Sequence, residues 1–383
     1  MKKIEQLVEN KGCVGCGSCL ASCPTDSIKM VSTDGFFYPV INHGTCIDCN
    51  KCTNACAIDN ENRNFHAPLV HYAAYADKAS MPEMSTSGGI CALASRYYLN
   101  QGNQVVAARF AEDWTLQHDF ADLSNMHQYD GSKYYQSIIK DEVYKKIGSS
   151  LKNNLKVLFI GTPCQVAGLY AYAEANNVPL NNLVTIDFLC HGVPSPIIGK
   201  MFVSHLDDKR KIQSYNFRSK KYGWGKKYRT VKYMDGKEKT VICNSCQLHS
   251  WFGKHLSLRQ SCFNCQYRKI ERISDITVAD FWGVQKYYHD IDIIQGVSAV
   301  QINTELGKRL FDDIKEHLKT REVSQDSIWE NRKTGLSNFP KPDNYEEFWK
   351  IAAKMDIELL MKKFPAESEL DRMKQRFSRM FKR

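Results

Sequence analysis

Eight of the chain's 15 cysteines fall before residue 60, in two copies of one spacing, and no other internal repeat is visible. Cys13, Cys16, Cys19 and Cys23 make the first C-x2-C-x2-C-x3-C run, followed by Pro24. Cys46, Cys49, Cys52 and Cys56 make the second, where Ala57 replaces the proline. Three closely spaced thiolates can wrap three corners of an iron–sulfur cubane, and in this bacterial arrangement the fourth cysteine of each run ligates the other cluster. The spacing therefore predicts one 4Fe-4S cluster on Cys13, Cys16, Cys19 and Cys56, and a second on Cys46, Cys49, Cys52 and Cys23. Two zinc knuckles fit less well, because zinc sites usually take a cysteine pair and then a long gap. Two neighbouring cubanes form a relay for single electrons, so residues 1–65 read as a ferredoxin-type module.

An odd cysteine count cannot close into disulfides within one chain, and the polar start Met1-Lys2-Lys3-Ile4-Glu5 has no apolar secretory run. Both point to reduced thiols and a cytoplasmic location. With 383 residues, 43% of them hydrophobic and 25% charged, the chain can bury cores without covalent staples, and a bundle of membrane spans is excluded. Lys and Arg exceed Asp and Glu by 52 − 42 = 10, which suits an anionic partner. Residues 207–232 hold ten basic side chains against two acidic ones, and the sequence from Asn331 onward is basic again.

Residues 36–40 are aromatic and β-branched enough for a short hairpin strand. After a polar link at 59–64, the periodicity predicts a helix over 87–99, opened by Ser-Gly-Gly, and strands over 104–110, 156–160 and 183–189. The second of these breaks at Gly161-Thr162-Pro163-Cys164 into a helix over 165–175. The third ends at Cys190-His191-Gly192 before a helix near 197–206. This alternation implies parallel strands, which collect ligands at their carboxyl ends, where Cys164 and Cys190 both stand. Residues 214–241 read as polar hairpins. From 326 the sequence reads as an appended helical tail, and its last residues, 373–383, as a solvated helical end with a weaker resemblance to a lipid-docking segment.

Cys262 and Cys265 fit two constellations. With Cys243 and Cys246 they give C-x2-C-x15-C-x2-C, the spacing of a zinc ribbon. With Cys164 and Cys190 they would hold a third cluster beside the sheet. The segments 85–89 (STSGG), 131–137 (GSKYYQS), 161–165 (GTPCQ), 187–196 (DFLCHGVPSP), 217–224 (FRSKKYGW), 259–265 (RQSCFNC) and 279–283 (ADFWG) follow in order. Through them the chain resembles the coenzyme F-420 hydrogenase/dehydrogenase beta subunit family over residues 1–323, with a ferredoxin module fused in front.

That resemblance implies FAD together with a third cluster on Cys164, Cys190, Cys262 and Cys265, leaving Cys243 and Cys246 outside the pattern. It also implies FAD contacts from Ser87, Gly88, Gly89, Ser132, Lys133, Tyr134 and Ser137. Ser87-Gly88-Gly89 has a physical reading of its own, since a helix N-terminus favours a phosphate, although the same residues serve as an ordinary cap. Arg218, Lys220 and Trp224, from the basic and aromatic stretch, are the catalytic candidates facing an anionic substrate or coenzyme. A solvated cationic hairpin, or a surface for single-stranded nucleic acid, fits that stretch too. Cys91 reads as packing, and His191, Asp280 and Trp282 read as structural residues as readily as site residues.

The expected architecture is α+β/α/β. It comprises a ferredoxin-like two-cluster module (1–65), a mixed α/β flavin-binding body (66–150 and 151–325) and a helical basic tail (326–383). The expected function is a cytoplasmic iron–sulfur flavoprotein oxidoreductase with a redox partner protein, ferredoxin or a dehydrogenase subunit. It would pass electrons between the clusters, FAD and a two-electron acceptor or donor such as a deazaflavin. The rivals are a non-catalytic electron-transfer subunit and a zinc-stabilised nucleic-acid-binding protein, although no nucleic acid is expected.

Overall fold

The computed structural model describes residues 3–58, 65–77, 80–81, 84–330 and 335–366. In the head, α1 (Lys3–Glu9), α2 (Ser18–Ala21) and α3 (Lys51–Asn54) surround a hairpin of β1 (Ile28–Thr33) and β2 (Phe36–Ile41). Asp34 and Gly35 close that hairpin with φ of 49° and 72°, the paired left-handed conformation that matches strand twist in a two-residue loop. The two cysteine runs share a backbone as well as a spacing. Left-handed residues stand before and after the second cysteine in both, at Gly15 and Gly17 and again at Asp48 and Asn50. Each run therefore curls in the same way and leads into a single helical turn.

The body is built on one eight-stranded sheet. Its strands are β3 (Val70–Ala76), β4 (Gln104–Phe110), β5 (Leu116–Ala121), β6 (Val157–Ile160), β7 (Leu183–Phe188), β11 (Ile276–Asp280), β12 (Ser298–Ile302) and β13 (Leu318–Glu322). The order is β13-β3-β12-β11-β7-β6-β4-β5. The centre, β4-β6-β7-β11, is parallel, and antiparallel strands flank it on both sides. Alternation along the strands sends Val105, Leu158 and Ile186 into a core with α4 (Ile90–Asn100) and α9 (Glu305–Ile314). It sends Val106, Phe159 and Leu183 into the opposite core with α5 (Asp141–Lys152) and α6 (Pro163–Ala175). The head packs on this second side, where Cys16, Ala21 and Ala57 join the same core.

A second, three-stranded antiparallel sheet is formed by β8 (Ile212–Ser219), β9 (Tyr228–Tyr233) and β10 (Glu238–Ile242). It shares a core with α7 (Pro196–Lys209), α8 (Gln247–Gly253), α11 (Tyr345–Ala352) and α12 (Ile357–Lys363). Between β13 and α11, α10 (Gln325–Trp329) buries Ile328 and Trp329 in a cluster with Ala73 and Phe281. The stretch read as an appended helical tail is helical and packs on the body. Phe348 and Leu360 are buried, and Trp251 Nε1–H donates to the Phe364 carbonyl at 2.7 Å. The apolar faces of α11 and α12 find a partner only once the chain folds back. The end at 373–383 lies outside the described residues. Residue 150 lies within α5, and one sheet spans it, because β4 pairs with β5 on one side and with β6 on the other. No helix among the described residues is long and apolar enough to cross a membrane.

Candidate functional site

The cysteines expected to act together are brought together. Cys23, Cys46, Cys49 and Cys52 line one small recess with Pro24, Ile28 and Ile41. Cys19 lies among the rest: burial pushes its thiol well up, and the neighbouring sulfurs of Cys16, Cys13, Cys56 and Cys52 push it further. Backbone N–H groups point at sulfur at both ends of the first run, from Gly15 to Cys13 Sγ at 3.4 Å and from Ser27 to Cys23 Sγ at 3.3 Å.

In the body, Cys164 opens α6 just past the end of β6, and Cys190 follows β7. The one-turn helix at Gln260–Asn264 supplies Cys262, with Cys265 as its next residue. All four line a single cavity of about 500 Å³, together with Val14 and Ile58 of the head. Thr162 caps α6 reciprocally with Gln165, and its hydroxyl lies 3.2 Å from Cys164 Sγ. The Val193 N–H donates to Cys262 Sγ at 3.5 Å. Burial raises the Cys190 thiol to about 12 and Cys262 to about 11, with the neighbouring thiols adding to the shift. As free thiols they would stay protonated at neutral pH, whereas metal coordination deprotonates a thiol outright.

Among the described residues no group of three or more His, Cys, Asp or Glu converges to hold a metal ion. A cubane asks for something different, namely four sulfurs spread around a cage and N–H donors to tune it. The residues present fit that demand. Cys243 and Cys246 lie elsewhere, 3% and 0% exposed in the core around β8, where the Cys243 thiol donates to the Phe217 carbonyl. The zinc-ribbon set is thus divided between two regions of the fold. Cys91 is packed on α4 in the sheet core, where burial raises its thiol to about 12.

The flavin and catalytic candidates are held by several separate sets of polar contacts. Thr86 and Ser132 hydroxyls lie 2.7 Å apart, and Ser87 Oγ–H donates to the Val297 carbonyl at 3.1 Å. Lys220 Nζ donates to the carbonyls of Gln295 (2.6 Å) and Ser87 (3.2 Å). Lys133 Nζ donates to the carbonyls of Tyr129, Asp130 and Gly131. Burial lowers both amines to about 8. Arg218 donates to Tyr134 OH at 3.2 Å, lies 3.6 Å from an Asp280 oxygen and covers the Trp282 ring. Trp224 is buried, stacked on Trp282 at 4.4 Å and packed against Gly296. Ser137 is drawn toward the cysteine cavity instead, accepting from Gln165 Nε2 at 3.0 Å.

With this geometry in view, residues 154–326 match the family model for the C terminus of the coenzyme F-420 hydrogenase/dehydrogenase beta subunit. Residues 12–60 match the 4Fe-4S dicluster domain. Residues 154–326 belong to the beta-subunit family. The head is a 4Fe-4S dicluster domain, and its match spans all eight N-terminal cysteines. The beta-subunit match spans Cys164, Cys190, Cys262 and Cys265 as well as Arg218, Lys220 and Trp224. The chain thus joins an iron–sulfur electron-transfer head to the body of an oxidoreductase subunit. Among solved structures it is similar to a chain of the F-420-reducing nickel–iron hydrogenase complex from Methanosarcina barkeri. The two share 16% identity and a TM-score of 0.48, over 76% of this chain and 94% of that one. No curated protein matches it.

Sequence reasoning missed how the head is joined to the body. Tyr144 OH donates to the Cys16 carbonyl at 2.8 Å, and Gln136 Nε2 to the Val14 carbonyl at 2.9 Å. Gly168 lets α6 approach, since a Cβ there would lie 2.7 Å from that of Cys16. The expected helix start at Ser87 is also shifted. The helix begins at Ile90, with Gly89 at φ +83° as its cap, and Gly88 is pressed under β12. A Cβ on Gly88 would sit 2.3 Å from the Ala74 carbonyl oxygen and 2.8 Å from Ser298 N, both backbone atoms. Gly88→Ala is therefore expected to lower stability by about 1–3 kcal/mol through overpacking, flavin or no flavin. A thermal-unfolding midpoint equal to that of the parent would discard this.

Proposed function

We propose that this chain is an oxidoreductase passing electrons between its dicluster head, FAD and a two-electron acceptor or donor such as a deazaflavin. The observation that carries the reading is the common cavity of Cys164, Cys190, Cys262 and Cys265, which also has head residues in its wall. Those four cysteines would hold a third 4Fe-4S cluster. Cys13, Cys16, Cys19 and Cys56 would hold one head cluster, and Cys46, Cys49, Cys52 and Cys23 the other.

Lys220 and Lys133 support the flavin assignment. Both are largely withdrawn from water, and each donates to carbonyls without a carboxylate in hydrogen-bonding contact among the described residues. Such cations favour an anion such as a pyrophosphate. Ser87, Ser132, Tyr134 and the cap at Gly89 stand around them, and Arg218 and Trp224 are proposed on the substrate side. A bound flavin supplies the exchange between one-electron and two-electron chemistry. The chain's residues bind it, orient it and keep water from it.

The pH dependence has a definite sign. Lys220 carries its charge below about 8 and loses it above, so affinity for FAD is expected to fall as pH rises through 8. Lys220→Met should flatten that part of the profile, and an identical profile would remove Lys220 from the site. Turnover separates an enzyme from an electron-transfer subunit. Purified alone and supplied with dithionite and a panel of two-electron acceptors, the chain is expected to turn over. Cluster reduction with no acceptor reduced would support the subunit reading, which the family's own designation as a beta subunit favours.

A further inference from the structure

Arg259 is 1% exposed, and no carboxylate among the described residues bonds its guanidinium. Its Nε–H donates to the Cys13 carbonyl at 2.8 Å, and an Nη1–H donates to Gln136 Oε1 at 3.1 Å. Nη2 serves the Phe37 carbonyl at 2.9 Å and Cys13 Sγ at 3.8 Å. The rings of Tyr38 and Phe36 cover the cation at 4.3 and 5.1 Å from their centroids. Gly15 makes room for it, since a Cβ there would lie 2.8 Å from Nη1. At the other end of the residue, the Arg259 carbonyl accepts from the Cys262 N–H at 2.9 Å. One side chain thus reaches from the cysteine loop of the beta-subunit domain into that of the head.

A guanidinium keeps its charge at every working pH. Carbonyl dipoles and ring faces do not repay the removal of that charge from water, so a buried guanidinium calls for an anion. Cys13 Sγ is the acidic atom it meets, at 3.8 Å, and Arg259 lines the same cavity as Cys262. The Tyr38 phenol beside it is held up, and so neutral, by burial. Sulfur anions on the two loops are the remaining counter-charge.

The geometry points to Arg259 as a positioning residue. Its fixed positive charge raises the reduction potential of the head cluster held through Cys13 and ties that cluster electrostatically to the one held through Cys262. This rests on the proposed cluster ligation. Added negative charge on reduction is stabilised by the buried cation, so its removal disfavours the reduced state.

The test is an EPR-monitored redox titration of the full, cluster-loaded chain against Arg259→Met and Arg259→Lys. Iron and sulfide contents are expected to match the parent. The reduction equilibrium of one head signal should fall at least about tenfold in Arg259→Met, which is about 59 mV for a one-electron couple. It should fall less in Arg259→Lys. Unchanged potentials at full iron content overturn the proposal and leave the ligation reading standing, whereas a parent protein without clusters overturns the ligation reading. If Arg259→Met sheds its clusters, the parent labelled with guanidino-nitrogen-15 arginine decides. Pulsed EPR of the reduced head should then show a nitrogen-15 coupling that Arg259→Lys lacks, and its absence from the parent overturns the proposal.

Discussion

The Cys164→Ser/Cys190→Ser double variant is expected to retain about two thirds of the parent's iron and sulfide, because on the proposed ligation it removes two ligands from one of three cubanes and none from the other two. The matched Cys243→Ser/Cys246→Ser variant should retain all of it. Those two thiols sit in the core around β8, bonded near Phe217 and Tyr215, away from the cavity that Cys262 and Cys265 line. Electron flow should separate the pair as well. In the first variant dithionite still reduces the head, while reduction of the acceptor collapses by orders of magnitude. The second should differ little from the parent. Iron lost from the second variant and kept by the first would reverse the assignment.

Arg272→Met is expected to cost about 3–5 kcal/mol, the range for stranding one partner of a buried ion pair. Arg272 and Asp187 are 2% and 0% exposed in their side chains and lie 2.9 Å apart, with Thr277 also donating to the carboxylate. Burial raises the Asp187 carboxyl, and Arg272 opposes that rise without cancelling it. The sign of the pH effect follows. A carboxyl raised above its unfolded value contributes stability below the unfolded pKa and loses it as pH climbs through the folded one. Without Arg272 the folded value rises further, so the variant should be least handicapped in acid and most at neutral pH. Adding Asp187→Asn should recover much of the loss. Unfolding midpoints of the three proteins across pH provide the measurement, and equal penalties at all pH values would refute the ion-pair account.

What the residues disclosed follows the range of the interactions involved. The doubled cysteine run and the strands ending at Cys164 and Cys190 are set by local spacing, and the parallel β6 and β7 carry those cysteines at their carboxyl ends. The antiparallel flank was not legible. Nothing local tells β12 to pair with β3, more than 200 positions earlier in the chain. Arg259 was visible within the 259–265 segment, but its role was not legible, because that role lies in a contact with Cys13, 246 positions away. Gly88 was read as a phosphate cradle on local grounds, while the fold also requires it where β3 and β12 converge. The packing of the tail was hidden for the same reason, its buried Phe348 and Leu360 being complementary to a surface assembled from distant segments.

Visible spectra of the anaerobically purified chain, with iron, sulfide, zinc and flavin counted per polypeptide, bear on the central claim most directly. A brown protein with about twelve iron and twelve sulfide atoms, one FAD and no stoichiometric zinc is the expected result. A colourless protein that holds zinc but neither sulfide nor flavin after anoxic reconstitution would contradict it.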